Sequence, residues 1–206
     1  IDYGLPFSYD QREEGVVDHS VICKFQADLP DEFTGFGLLS YVFFVGYGIL
    51  FVAGKLFGFF KTLQDFQVYY LLHPTLFYVI GRFLCGVLLG TLTVYILYLL
   101  VKMLTNKPEA ALLSAFFLSI SYLHARESHF ISTIIPFTFF TILGVMYIIR
   151  LEQNPHWKYC VLIGVIVGIT TVLRLSGLII LLPFIVTMVS LQGHMLFRRK
   201  IFCIFI

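Results

Sequence analysis

Long runs of uncharged, apolar residues are the feature that most constrains this sequence. After residue 35, long stretches without Asp, Glu, Lys or Arg include 36–54, 83–101, 110–123, 130–149, 159–173 and 175–197. A helix needs about 20 apolar residues to cross a bilayer. The hydrophobic content of 59% and the mean hydropathy of +0.90 leave too little polar surface to coat a globule. We therefore predict an all-α polytopic membrane protein and exclude a soluble enzyme.

Charge divides the chain unequally. Residues 1–35 hold eight acidic and two basic residues, whereas residues 36–206 hold four acidic and twelve basic residues. We interpret 1–35 as a polar loop outside the membrane. The apolar spacing over 13–25 predicts a short amphipathic helix on the membrane surface. No basic run is interleaved with exposed aromatic residues, so nucleic acid is excluded as a partner.

The basic residues also orient the helices. Lys102 and Lys107, then Arg150 and Lys158, then the basic run 198–200 fall on alternate loops. The positive-inside rule makes that side cytoplasmic. Alternation then predicts that the 124–129 segment and Arg174 face the opposite, extracytoplasmic side.

We divide the chain into three parts. Residues 1–35 are the extracytoplasmic acidic loop, 36–80 a juxtamembrane or re-entrant apolar segment with a loop, and 81–206 about five transmembrane helices, the last one truncated. Four glycines between Gly46 and Gly58 weaken a continuous helix, so we expect two juxtamembrane pieces there. A full crossing, which would place the acidic loop in the cytoplasm, is the alternative.

The first candidate site is the acidic cluster of the loop. Asp10, Glu13 and Glu14 lie close together in sequence, beside apolar segments. Neighbouring carboxylates near a membrane can have one pKa raised by like charge and desolvation, which suits a general base. The alternative is an ordinary solvated acidic loop.

The second candidate site is the 124–129 segment, which follows an apolar run too short to span a bilayer. Arg126 can bind a phosphate, and the histidines His124 and His129 or Glu127 can bind a metal or position a substrate. Ser128 is a further candidate for positioning the substrate. The spacing His-x-x-Glu-x-His differs from the HExxH zinc pattern, so it gives little support to a metal site. A structural pair between Arg126 and Glu127 is the alternative.

The third candidate site is Arg174, which follows another short apolar run and is flanked by small polar residues. A cation at membrane depth is costly and is usually kept for a function or for an ion pair. Arg174 is therefore a candidate phosphate ligand. A salt bridge to an acid of the loop is the alternative.

Several motifs resemble those of a known superfamily. Its first loop resembles Leu5-Pro6-Phe7 and Glu13-Glu14-Gly15. Its juxtamembrane segment resembles the stretch 36–41, which ends at Tyr41, and the start of its next helix resembles Gly81-Arg82-Phe83. His124-Ala125-Arg126-Glu127-Ser128-His129-Phe130 and Arg174-Leu175-Ser176-Gly177 resemble two of its turns. The chain thus resembles the GT-C glycosyltransferases that use polyprenyl-phosphate sugars: glycosyltransferase family 39, protein-mannosyltransferase-like, with ArnT-like and RgtA/B/C/D-like members.

This resemblance implies a GT-C helical bundle whose extracytoplasmic first loop carries juxtamembrane helices. It further implies that an acid of that loop takes the proton of the acceptor hydroxyl, that Arg126 and Arg174 hold the donor phosphate, and that Tyr41 helps to position substrate. The sequence departs from the family where Glu13 replaces the usual Asp, which leaves Asp10 as a rival base. It also has Ile134 where the family often has an acid.

The resemblance leads us to expect a glycosyltransferase that moves a sugar from a polyprenyl-phosphate donor to an acceptor hydroxyl with inversion. The acceptor would be a glycan, a lipid or a protein, and the enzyme would lie in the plasma (inner) membrane with its site facing the periplasm or exterior. No cofactor is certain, and a divalent metal stays open. Because family segments at both ends are missing, we expect a fragment. A transporter or flippase for a lipid-linked or anionic solute, or a non-catalytic fragment, is the alternative.

Overall fold

The computed structural model describes residues 16–17, 20–21 and 37–191. Every regular element in these ranges is helical, and none of them contains a strand. Three helices, Leu38–Leu56, Thr75–Thr105 and Ile134–Gln153, are long and apolar enough to cross a membrane. The prediction of an all-α polytopic membrane protein is therefore confirmed.

The described helices follow one another with short connections. In chain order they are α1 Gly37–Leu56, α2 Leu63–Leu72, α3 Thr75–Arg82, a π-helix Phe83–Leu88, α4 Leu89–Thr105, α5 Pro108–Ile120, α6 Tyr122–Glu127, α7 Ile134–Gln153, α8 Trp157–Leu173 and α9 Leu175–Leu191, which begins with the 3₁₀ turn Leu175–Ile180.

Helix α1 differs from the expectation of two separate pieces. It runs unbroken for 20 residues through Gly46 and Gly48, and the chain reverses only at Gly58, whose φ is +77°. Each glycine inside a helix costs about 1 kcal/mol relative to alanine. The burial of Phe43 and Tyr47 on one face of α1 offsets this cost. Whether α1 crosses the membrane stays a prediction, as does the division of the chain into three parts.

Aromatic side chains join α1, α2 and α3. Phe66 of α2 packs edge-to-face on Phe51 of α1 and on Phe77 of α3, with ring centroids 5.5 and 5.3 Å apart. Tyr47 packs on Phe77 at 5.2 Å, and its hydroxyl donates to the Phe77 carbonyl oxygen at 3.0 Å. Edge-to-face pairs of this kind add about 0.5–1.5 kcal/mol beyond their buried area. The segment before α4 is thus held by its own aromatic core.

One long helix follows, and it contains a π-helical turn. Helix α3, the π-helix and α4 run on without a break over 31 residues, Thr75–Thr105. The helix ends at Asn106, which has a left-handed φ of 53°, and Pro108 then starts α5 at its first turn. Proline is favoured there because its missing N–H needs no partner. The helices α4 and α5 therefore form a tight hairpin.

The chain forms two compact units, residues 1–139 and 140–206. The second unit has its own core, built from buried aliphatic side chains of the end of α7, of α8 and of the 3₁₀ turn: Ile148, Leu151, Ile163, Val167 and Ile180. Gly144 allows close packing here, because a methyl group at this position would lie 3.2 Å from Cγ2 of Ile166 and 3.5 Å from Cγ2 of Ile180. Helix α8 has 17 residues and α5 has 13, so both are short for a crossing, as the apolar runs indicated.

Candidate functional site

The site begins at a sharp break between two helices. Ser121 ends α5 with extended backbone angles of −62° and 120°, and the six-residue helix α6 starts directly after it. Serine suits such a break, since it favours helix caps over helix interiors. Ser128 closes α6 by donating from its hydroxyl to the His124 carbonyl oxygen at 2.8 Å. We call residues 121–130 the α6 turn.

An ion pair lies at the end of this turn. The Nη2 and Nε atoms of Arg126 donate to Oε1 of Glu127 at 2.6 and 3.1 Å. The Glu127 side chain is only 4% exposed, whereas that of Arg126 is 46% exposed. The hydrogen bond to Glu127 raises the pKa of Arg126 above its usual value. The buried acid thus holds a permanently charged guanidinium at the protein surface.

The aromatic ring of Tyr122 also faces this arginine. The Arg126 guanidinium carbon lies 5.9 Å from the Tyr122 ring centroid, within cation–π range. Tyr122 and Arg126 are four residues apart, so both project from the same side of α6. Ring and carboxylate together restrict the guanidinium to one region, which is what an anion-binding group needs. The Arg126–Glu127 pair foreseen as a structural alternative does exist, and it leaves the guanidinium half-exposed.

The α6 turn packs against the long helix at two glycines. A methyl group on Gly86 would overlap the Ser128 carbonyl oxygen, and one on Gly90 would lie 2.8 Å from the Ser128 hydroxyl oxygen. His124 adds a polar contact, with its Nε2 3.3 Å from the Gly90 carbonyl oxygen. Gly86 belongs to the π-helix, a type of turn that is often found at functional sites. Only residues without a side chain permit so close an approach.

A second arginine contacts the same turn. Arg82, the last residue of α3, is 2% exposed, and its guanidinium carbon lies 5.7 Å from the Phe130 ring centroid. The sequence indicates Arg82 only as part of a helix start, because the uncharged run begins at Phe83. The helix in fact begins at Thr75, so Arg82 lies inside it. An ionisable residue inside a long apolar helix was the signal that could have identified it.

The residues around Gly81 pack closely beside this arrangement. A methyl group on Gly81 would lie 2.5 Å from Cδ1 of Ile131, which is completely buried, and 3.5 Å from the Tyr47 hydroxyl oxygen. Ser132 and Thr133 are also buried, and the Ser132 hydroxyl has no hydrogen-bond partner in the described part of the chain. The end of α3, Ile131 directly after the α6 turn, and α1 therefore meet around Gly81.

The predicted catalytic acids Asp10, Glu13 and Glu14 lie outside the described residues. Close after them, Val16 and Val17 are helical and completely buried. The Ser20 hydroxyl donates to the Ser40 carbonyl oxygen of α1 at 3.1 Å. The described part of the first loop thus packs against the start of α1, next to the half-exposed Tyr41.

Arg174 occupies a different setting in the second unit. It ends α8 in extended backbone, with angles of −155° and 133°, and its side chain is exposed. At Gly177 the chain passes close to the backbone of α8, where only glycine fits, because a methyl group there would lie 2.5 Å from the Thr170 carbonyl carbon. Within residues 37–191 Arg174 forms no ion pair. The meeting of Arg126 and Arg174 at one site therefore stays a prediction.

The remaining candidates are His129 and a metal site. His129 is exposed on the α6 turn, where its N–H bonds to the Arg126 carbonyl oxygen at 3.1 Å. Among the described residues no group of three His, Cys, Asp or Glu side chains is placed to hold a metal ion. The chemistry visible in this region is therefore cationic: two arginines at one turn, one buried and one half-exposed.

Comparison with known proteins identifies the family. The family described as dolichyl-phosphate-mannose-protein mannosyltransferase matches residues 77–206, which include both arginines, the α6 turn and Arg174. Searches of curated proteins and of solved structures gave no match. The match covers more than half of the chain and agrees with the apolar helices and with the cationic turn. The chain therefore belongs to the dolichyl-phosphate-mannose-protein mannosyltransferase family and is a membrane glycosyltransferase of the GT-C type.

Proposed function

We propose that this protein transfers a sugar from a polyprenyl-phosphate donor to an acceptor hydroxyl, on the extracytoplasmic side of the plasma membrane and with inversion. The observation that carries the proposal is the cationic α6 turn, which has Arg126 held on Glu127 and the buried Arg82 stacked on Phe130. A family that uses lipid-linked sugars needs a cationic group where the phosphate leaves.

Each step of the reaction needs one kind of group. A carboxylate of the first loop, at Glu13, Glu14 or Asp10, takes the proton of the acceptor hydroxyl. The hydroxyl oxygen attacks the anomeric carbon while the bond from that carbon to the phosphate oxygen breaks. The electron pair leaves with the polyprenyl phosphate, whose developing charge Arg126 and Arg174 stabilise.

Arg82 extends this set of residues. Because its guanidinium is buried and lies against Phe130 of the α6 turn, it can act on an anion from the protein interior and not from the surface. A buried charge acts at low dielectric, where its effect on a nearby anion is larger than in water. We infer that Arg82 strengthens the field at the phosphate, with Glu127, Ser128, His129 and Tyr41 positioning substrate.

The first experiment measures transfer from a radiolabelled polyprenyl-phosphate sugar by the detergent-solubilised protein. We expect Glu13→Gln to lower kcat by about 10²–10⁴-fold, the usual contribution of a general base. Glu152→Gln is the matched control, because Glu152 is an exposed acid at the end of α7. An unchanged rate for Glu13→Gln would reject this residue as the base, and Glu14→Gln and Asp10→Asn then test its rivals.

Sidedness is tested separately. A single cysteine at position 13, on a cysteine-free background, is labelled in intact cells with a membrane-impermeant reagent. External labelling supports the proposed site, whereas cytoplasmic labelling splits the acids from the arginines and overturns it. Movement of a lipid-linked sugar across the membrane of vesicles that contain the protein, without bond cleavage, would instead indicate a transporter.

A further inference from the structure

The contact between His124 and the long helix has no role in the mechanism above. His124 lies on α6 two residues before Arg126, and its Nε2 faces the Gly90 carbonyl oxygen at 3.3 Å. A carbonyl oxygen can only accept, so Nε2 carries the proton in this contact. The imidazole is half-buried, and a hydrogen bond there is better shielded from water than one at the surface.

Three contacts repeat along one side of the long helix. Arg82 meets Phe130, Gly86 meets the Ser128 backbone, and Gly90 meets both Ser128 and His124. Residue numbers increase along the helix from one contact to the next, while those of their partners in the α6 turn decrease. The two segments therefore run in opposite directions. The contacts of Gly86 and Gly90 are steric and set the distance, whereas the bond from His124 is directional and sets the register.

We propose that His124 is a positioning residue, whose Nε2–H bond to Gly90 locks the turn that carries Arg126 and Glu127 onto the helix that carries Arg82. This inference rests on the proposed function, since it assumes that the two arginines act together on one anionic group. Loss of the bond removes a directional polar contact between an α6 side chain and the long helix, so α6 can rotate relative to that helix. Arg126 then moves relative to Arg82.

The first test uses two amide side chains of different reach. The glutamine amide can place an N–H near the position of imidazole Nε2, whereas the asparagine amide reaches only as far as Nδ1. We expect His124→Gln to retain nearly all transfer activity. For His124→Asn we expect kcat for transfer from the polyprenyl-phosphate sugar to fall about five- to tenfold with a smaller change in KM, because a displaced Arg126 stabilises the leaving charge less well; the size is that of one lost neutral hydrogen bond. Equal activity of the two variants, whether high or low, would overturn the role of the donor.

The second test reads the register without using activity. A β-carbon at Gly90 would lie 3.5 Å from the Ser128 Cβ, within the range of disulfide-bonded cysteines. On a cysteine-free background, Gly90→Cys with Ser128→Cys should therefore form a disulfide under mild oxidation, seen as protection from maleimide-polyethylene glycol. Thr91→Cys with Ser128→Cys is the matched control, because Thr91 is exposed and one residue further along the helix.

The two tests separate the possible failures. If the disulfide forms and the amide variants differ, the inference stands. If the wild-type protein transfers sugar normally but the double-cysteine variant forms no disulfide, the inference is overturned and the proposed function stands. If the double-cysteine variant forms the disulfide but the wild-type protein transfers no sugar, the proposed function is overturned and, with it, the positioning role.

Discussion

The turns that hold Arg126 and Arg174 look alike in sequence and differ in structure. Each arginine follows an apolar helix shorter than a bilayer crossing, and each has a serine two residues later. Arg126 is held by a buried acid and by an aromatic ring, on a turn packed against another helix. Arg174 is exposed in extended backbone, on a turn that packs against the end of its own helix. Of these two arginines, only Arg126 therefore has its guanidinium restricted by a buried partner among the described residues.

The largest expected effect separates the two arginines by function. We expect Arg126→Ala and Arg174→Ala each to lower transfer on the order of 10²-fold, as for loss of a group that stabilises a leaving charge. Only Arg126→Ala should also lower the unfolding temperature, because it leaves Glu127 buried without its partner. Transfer assays and thermal unfolding of the solubilised variants measure the two effects. An equal loss of stability in both variants would contradict the difference between the turns.

The second prediction concerns the packing of the α6 turn. Gly86→Ala places a methyl group on the Ser128 carbonyl oxygen, so we expect the free energy of unfolding to fall by about 1–3 kcal/mol, the usual cost of overpacking. Gly168→Ala in α8 is the control, because open space surrounds that glycine. The control should gain about 0.5–1 kcal/mol from alanine's better helix propensity. A neutral Gly86→Ala variant would show that the turn does not pack on the helix.

The third prediction concerns the Arg174 turn. Gly177→Ala brings a methyl group against the Thr170 backbone, so we expect a loss in the lower part of the same range, about 1 kcal/mol. The loss is smaller because the 3₁₀ turn can shift away from the end of its own helix, whereas Gly86 lies in the middle of the 31-residue helix Thr75–Thr105. Chemical denaturation with circular dichroism measures both variants. A larger loss at Gly177 than at Gly86 would reverse the comparison.

The smallest effect comes from a surface cap outside both turns. Thr62 and Asp65 form a capping box at the start of α2, with Asp65 Oδ2 accepting from the Thr62 N–H at 2.8 Å. Thr62→Ala should cost about 1 kcal/mol, the usual value of an N-cap. This loss gives a reference level for the two turns, and thermal unfolding measures it.

The same cap has a pH dependence of known sign. Hydrogen bonds from Thr62, first from its backbone N–H, lower the pKa of Asp65 below its usual value. A carboxyl group whose folded pKa is lowered stabilises the protein above its unfolded pKa, and this stability is lost as the pH falls through the folded pKa. Asp65→Asn should remove this acid dependence of α2 unfolding, while Glu152→Gln should leave it unchanged.

The sequence predicted the fold class well because the membrane simplifies the problem. Apolar runs long enough to cross a bilayer must be helical, since no water is present to satisfy an open backbone. It was less reliable inside those runs. The glycines of α1 suggested a break that the aromatic packing of Phe43 and Tyr47 prevents. The charge of Arg82 suggested a helix start, whereas the helix begins seven residues earlier, at Thr75.

The candidate site was predicted in part. The residue types of 124–129 pointed to the α6 turn, which the structure brings against Arg82. Sequence could not distinguish an arginine that binds a ligand from one that pairs with an acid, and the structure shows that the pair to Glu127 leaves Arg126 half-exposed. The roles given to Tyr41, His129 and Arg174 stay predictions, as do those of the acids before Val16.

By itself, the sequence determined that the chain is a helical membrane protein and that a cationic turn follows the short apolar run that forms α5. Both properties are local, because hydropathy and helix breaks depend on residues close together in the chain. Only the tertiary structure decided which side of the long helix the turn meets, and hence that Arg82 belongs with this turn and that His124 bonds to Gly90. Contacts between segments forty residues apart depend on whether two surfaces fit, and here the absence of side chains at Gly86 and Gly90 allows that fit.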